Sequence, residues 1–95
     1  MRLEKHEADA IREEVRRADS AAEVWLFGSR TDDRARGGDV DLLIVSDRIA
    51  FAEELALRTA ILDRIGWQRL DLIVRRPERL AEPLAALALE TGIRL

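Results

Sequence analysis

The sequence predicts an α/β (α+β) domain: one small mixed β-sheet packed against helices. Three observations carry this. Three apolar runs of strand length, Glu23–Ser29, Asp39–Val45 and Arg69–Val74, are bounded by glycines, polar clusters or proline. Segments with helical spacing precede, separate and follow them. Finally, Asp39 follows Ser29 by only ten positions. A parallel crossover needs about a dozen or more, so the first two strands are expected to be antiparallel.

Taken in order, residues 3–19 place Leu3, Ile11, Val15 and Ala18 among many charges, the mark of an amphipathic helix with one narrow apolar stripe. His6, the only histidine, lies in its first turns and reads as solvent-facing. Ser20 and the alanines after it end the helix. In "EVWLFGS" Trp25 and Phe27 share one face, Val24 and Leu26 the other. Both faces are apolar, as in a strand covered on both sides. Gly28 stops it. "TDDRARGG" (Thr31–Gly38) is a loop, with room for a short helical turn at Ser29–Thr31. "DVDLLIV" (Asp39–Val45) is the second strand.

Ile49–Ile65 has helical spacing at Phe51, Leu55, Ala56, Thr59 and Leu62, with Asp47 as its expected N-cap and Gly66 as its stop. "RLDLIV" (Arg69–Val74) is the third strand. Pro77 breaks the pattern. A last helix runs to about Thr91 with Pro77 or Pro83 in its first turn. Gly92 is its C-cap, and "IRL" forms a short edge strand.

The 95 residues are read as a single domain, 1–95. Hydrophobic residues make up 47% and charged residues 37%, which fits a folded soluble chain and excludes disorder. No apolar run reaches membrane-spanning length, and no signal peptide is expected. There is no cysteine, so disulfides and thiolate metal sites are excluded. The default location is the cytoplasm. A net charge of −3 offers no general basic field, so no direct nucleic-acid partner is expected. Fifteen of the 16 basic residues are arginine. That bias fits GC-rich coding, although a guanidinium also suits phosphate recognition.

The chemistry gathers in "LFGSRTDDRARGGDVDLLIV" (Leu26–Val45). Residues two apart on a strand share a face, so Asp39 and Asp41 project together while Val40, Leu42 and Ile44 fill the other side. Two carboxylates held so close repel, and a divalent cation relieves the repulsion. Mg²⁺ takes oxygen ligands of this kind, with substrate phosphates completing its shell. Asp71 interrupts the third strand in the same way. Beside the second strand it would reach the same site. Three carboxylates on neighbouring strands can hold two metal ions, about 3.5–4 Å apart in such sites. Alone, a D-x-D pair most often marks a solvated strand end. The joint pattern is more specific.

Gly28-Ser29 supplies the complement. Glycine lets backbone approach a phosphate closely, Ser29 offers a hydroxyl, and the N–H groups of a tight turn form an anion site. Arg30 is placed to pair with a phosphate oxygen.

"FGSR…GGDVDLLIV…LDLIV" resembles the minimal nucleotidyltransferases of the DNA polymerase β superfamily. Their mark is Gly-Ser, a loop of about ten residues, Asp-x-Asp, and a third Asp on a later strand. Nine residues separate Ser29 from Asp39 in this chain, so the loop is one shorter than in many relatives. The resemblance extends over essentially the whole chain, including "ETGIRL". It implies the nucleotidyltransferase fold and nucleotidyl transfer. Asp39, Asp41 and Asp71 would be both the metal ligands for two Mg²⁺ ions and the catalytic residues, with Asp71 helping to deprotonate the attacking hydroxyl. Gly28, Ser29 and Arg30 would bind the nucleotide, the first two at the β- and γ-phosphates of ATP. The hydroxyl attacks the α-phosphorus, AMP is transferred and pyrophosphate leaves.

The resemblance further implies a partner. Such domains are often encoded beside a HEPN-domain ribonuclease as a toxin–antitoxin pair, and the nucleotidyltransferase silences the toxin by attaching AMP to a tyrosine. A second reading is a non-catalytic module that neutralises a HEPN partner by contact alone. A third is an aminoglycoside-type transferase with a small-molecule acceptor, for which no second-substrate domain is evident. "LAEPLAALALE" (Leu80–Glu90) is the contact surface to weigh against simple packing on the sheet, and a homodimer through this helix or an edge strand stays open.

Overall fold

Every residue from Val40 to Val45 except Asp41 is apolar, and that strand lies inside the sheet. The computed structural model of the chain describes residues 3–28 and 39–95. The expected turn at Ser29–Thr31 and the loop Thr31–Gly38 fall outside them. The described elements are α1 (Lys5–Ala18), β1 (Glu23–Phe27), β2 (Val40–Val45), α2 (Phe51–Ile65), β3 (Leu70–Arg75), a 3₁₀ turn (Pro77–Arg79), α3 (Pro83–Thr91) and β4 (Ile93–Arg94). The sheet order is β3-β2-β1-β4. β1 pairs antiparallel with β2 and β4, whereas β3 runs parallel to β2 across the α2 crossover. The sheet is therefore mixed, as the short first connection required.

Strand alternation divides the core into two layers. On one face Val24, Leu26, Val40, Leu42, Ile44 and Leu70 meet Ile11 and Val15 of α1 and Leu57, Ile61 and Leu62 of α2. On the other, Leu43 and Val45 meet Ala85 and Ala88 of α3, with Trp25, Phe27 and Ile73 around them. Leu26, Leu42, Leu43 and Ile44 have no solvent exposure. Burying each is worth about 1.5–3 kcal/mol.

Several local expectations are corrected. Ala18 is exposed, and the buried side of α1 uses Ala8, Ala10 and Glu14 beside Ile11 and Val15. Glu14 is kept inside by Arg64 of α2, whose Nη1 donates to Oε2 at 3.0 Å, while Arg64 Nη2 donates to Glu13 at 2.9 Å. In α2 the buried stripe is Leu57, Ile61 and Leu62, and Phe51, Leu55, Ala56 and Thr59 face solvent. The helix is crossed by the sheet on a different side from the one its aromatic residue suggested. Its N-cap is Ala50, not Asp47, and no side chain caps it. The hydroxyl that organises this corner belongs to Ser46: its Oγ accepts from the N–H groups of Arg48 and Ile49 at 3.0 and 3.1 Å.

The last helix begins at Pro83, and Pro77 opens the 3₁₀ turn. Gly92 is the C-cap, in an extended rather than left-handed conformation. What it provides there is closeness, because a β-carbon would collide with the Ala88 carbonyl and lie 2.8 Å from that of Leu26. That contact lets the chain turn straight from α3 into β4, beside β1. His6 is exposed, with Nδ1 3.3 Å from Glu4. Among the described residues, no helix is long and apolar enough to cross a membrane.

Candidate active site

Parallel pairing of β2 with β3 sets Asp41 directly opposite Asp71, in the same register row that pairs Val40 with Leu70 and Leu42 with Leu72. Antiparallel pairing sets Phe27, the last residue of β1, opposite Asp41 from the other side. Asp39 precedes β2, and alternation returns its side chain to the face of Asp41. The end of β1 and the starts of β2 and β3 thus converge at one end of the sheet. The N–H of Val40 donates to the Arg69 carbonyl at 3.0 Å, which fixes the two strand starts together.

Asp39, Asp41 and Asp71 each offer a carboxylate oxygen, and these oxygens lie within 4.8 Å of one another. Asp39 and Asp41 are half-buried, and Asp71 is exposed. Among the described residues the cation paired with the cluster is Arg69, its Nε 3.5 Å from Asp39 Oδ1, on a side chain that is 85% exposed. So weak a partner leaves the repulsion largely standing. Asp41 bears it, its carboxyl being pushed up to about 6. Partial burial is the first cause, then the Asp71 carboxylate, through charge and through the proton that the two can share, and lastly the charge of Asp39.

Gly28 follows β1 directly and has φ +77°, the left-handed region where side chains are strained. A β-carbon there would collide with the Asp41 carboxylate. Both constraints demand glycine. They place backbone immediately against the acidic cluster, which is the approach expected of a phosphate-contacting turn. Of the other expected nucleotide contacts, Ser29 and Arg30 lie outside the described residues.

The donor set fits divalent metal. All three groups are hard carboxylate oxygens gathered within 4.8 Å of one another, the donor type that Mg²⁺ takes. Three carboxylates with no buried cation among the described residues gain from such an ion the neutralisation that those residues do not supply.

What sequence reasoning missed is a polar link at the other end of β2. Asp19, the C-cap of α1, is buried. It accepts from the Ser46 hydroxyl at 2.6 Å and from the Ala21 N–H at 3.0 Å. These bonds, the Ser46 hydroxyl first, hold its carboxyl below the usual range. The only available signal was an Asp at a helix end. Its partner lies 27 residues away.

In a comparison with known families, the family model described as the nucleotidyltransferase domain matches residues 8–89. No curated protein matches the chain. The matched span takes in β1, Gly28, all three aspartates and most of α3, and it supports the resemblance to the DNA polymerase β superfamily. A mixed four-stranded sheet with three helices and three acids gathered beside a left-handed glycine agrees with that match, and the chain belongs to the nucleotidyltransferase domain family.

Proposed function

We propose that this chain transfers AMP from ATP to a protein hydroxyl, that of a tyrosine on a HEPN-domain partner, and acts in the cytoplasm as that partner's antitoxin. The observation that carries the transfer chemistry is the convergence of Asp39, Asp41 and Asp71 from two parallel strands. The partner and the antitoxin role rest on the resemblance to minimal nucleotidyltransferases.

In this reading all three aspartates hold divalent metal. Bound there, two Mg²⁺ ions supply charge neutralisation at the α-phosphate and the leaving pyrophosphate. The residues do the rest by position. Asp71, the most exposed of the three, faces the acceptor and takes the hydroxyl proton. Gly28 brings backbone, with Ser29 and Arg30 following in sequence, against the β- and γ-phosphates. The tyrosine oxygen attacks the α-phosphorus, the bond to the bridging oxygen breaks, and pyrophosphate leaves. The partner's contact surface is the outer side of α3, where Leu84 and Leu87 are 47% and 51% exposed while Ala85 and Ala88 pack on the sheet.

Label transfer tests this. Wild type and Asp41→Asn are incubated with ATP labelled at the α-phosphate, Mg²⁺ and a lysate shown to contain the partner. A protein labelled only by the wild type, identified by mass as carrying AMP on tyrosine, is the expected result. No labelled protein would turn the reading to neutralisation by contact. If Asp41→Asn still silences the partner fully, the enzymatic account of the antitoxin role fails.

A further inference from the structure

Far from the aspartates, where β2 and β3 end, a cleft of about 300 Å³ opens between the start of α2 and the 3₁₀ turn. Ser46, Arg48, Phe51, Arg75, Arg76 and Arg79 line it. Asp41 and Ser46 are five residues apart on the strand, or roughly 16 Å at the rise of a β-strand. One nucleotide bound at the triad does not occupy this cleft.

Its charges are unevenly satisfied. Arg75 and Arg79 share Glu82, their Nε atoms donating to its two oxygens at 2.9 and 2.7 Å. Arg48 and Arg76 enter no ion pair among the described residues, and both side chains are exposed. Asp47 and Glu54 also border the cleft, so four guanidiniums meet three carboxylates in a chain whose net charge is −3. Arginine presents a planar fork to phosphate oxygens.

Two further features belong to the same cleft. The first turn of α2 has no side-chain cap, and Ser46 Oγ accepts from Arg48 and Ile49, so no side chain among the described residues caps the leading N–H groups of this 15-residue helix. Phe51, the first residue of that helix, is 74% exposed. An aromatic ring beside exposed guanidiniums is a platform on which a nucleobase stacks. The volume is at the low end for a small-molecule site and suits one nucleotide rather than a polymer.

We propose that this cleft is a second, metal-independent site for a nucleoside phosphate. The phosphate lies between Arg48, Arg76 and the first turn of α2, and the base lies on Phe51. The site goes beyond the transfer reaction and does not depend on it.

The test is titration calorimetry on the full chain in EDTA, with AMP and with inorganic phosphate. AMP is expected to bind saturably to the wild type. Arg48→Ala/Arg76→Ala should weaken it by at least about tenfold, the worth of charge-assisted hydrogen bonds, with thermal unfolding unchanged because both side chains are exposed. Phe51→Ala should weaken AMP by about tenfold and leave inorganic phosphate unaffected. Absence of saturable AMP binding, or equal binding by the arginine variant, overturns the site. Loss of binding in Asp41→Asn instead would place the nucleotide at the triad and also overturn it. Equal AMP binding by Phe51→Ala overturns the assignment of the base.

Discussion

Asp19 and Asp41 are held near opposite ends of β2, one bonded to Ser46 just past its last residue and the other near its start. Asp19 is almost wholly enclosed, and the fold gives it a hydroxyl and an N–H to accept from. Asp41 is less enclosed, and the fold gives it two more carboxylates. The first is held below the usual range and the second is pushed up to about 6. Asp19 is thereby accounted for by folding alone: it ties the end of α1 to the end of β2. Asp41 is not accounted for by folding. A carboxyl retained against burial and repulsion points to something outside the chain that completes it.

The sharpest way to break this comparison is to neutralise Asp41. Asp41→Asn should lower nucleotidyl transfer by about 10³-fold, comparable to losing a main electrostatic contact in other enzymes, while the fold persists. The matching change at Asp19 should leave transfer by the folded protein nearly unaltered. Equal losses at both positions, measured as label transferred per folded molecule, would erase the distinction.

Gly28→Ala is the next largest effect. The new β-carbon meets the Asp41 carboxylate in a backbone region disfavoured for side chains. We expect about a 10²-fold loss of transfer from misplacement of the acid, together with weaker Mg²⁺ binding by calorimetry.

Asp19→Ala removes an acceptor from a buried hydroxyl and an N–H, so urea unfolding should show a loss of about 1–3 kcal/mol. The pH dependence has a definite sign. A carboxyl lowered in the fold stabilises above its unfolded value of about 4, and that contribution is lost as pH falls through the folded value. Asp19→Ala should therefore differ most from wild type at neutral pH and least in acid.

The smallest effect runs the opposite way. A carboxyl raised to about 6 in the fold favours the folded state while protonated, and the advantage disappears as pH rises from about 4 through 6. Without metal, Asp41→Asn should melt a few degrees above wild type at pH 7.5 and at nearly the same temperature at pH 4. Mg²⁺ should raise the wild-type melting temperature more at pH 7.5 than at pH 5. A metal effect independent of pH would show that Asp41 does not bear the repulsion assigned to it.

Much of this molecule was legible from local pattern. The three strands stood out because "EVWLF", "DVDLLIV" and "LDLIV" are largely apolar runs of strand length between polar, glycine or proline stops. The antiparallel first pair followed from a chain too short to cross over. The three acids were visible because each interrupts or opens a run suited to burial. The fine choices were less legible. Phe51 and Leu55 looked like the inner face of α2, yet Leu57 and Ile61 are inside. The hydrophobic pattern of that helix is nearly continuous, and only the crossing with the sheet selects a side. Asp47 had the right chemistry for a cap. Ser46, buried and fixed by Asp19, reached the N–H groups first.

The sequence by itself determined the element order, the mixed sheet and the pairing of Asp39 with Asp41 on one face. These depend on alternation, chain length and local chemistry, which act within a few residues. Tertiary structure alone decided that Asp71 stands opposite Asp41, that Asp19 finds Ser46, and that four arginines gather where β2 and β3 end. Each of those depends on the register between strands joined through a 15-residue helix. Register is settled by how the core packs as a whole, and no short stretch of sequence encodes it.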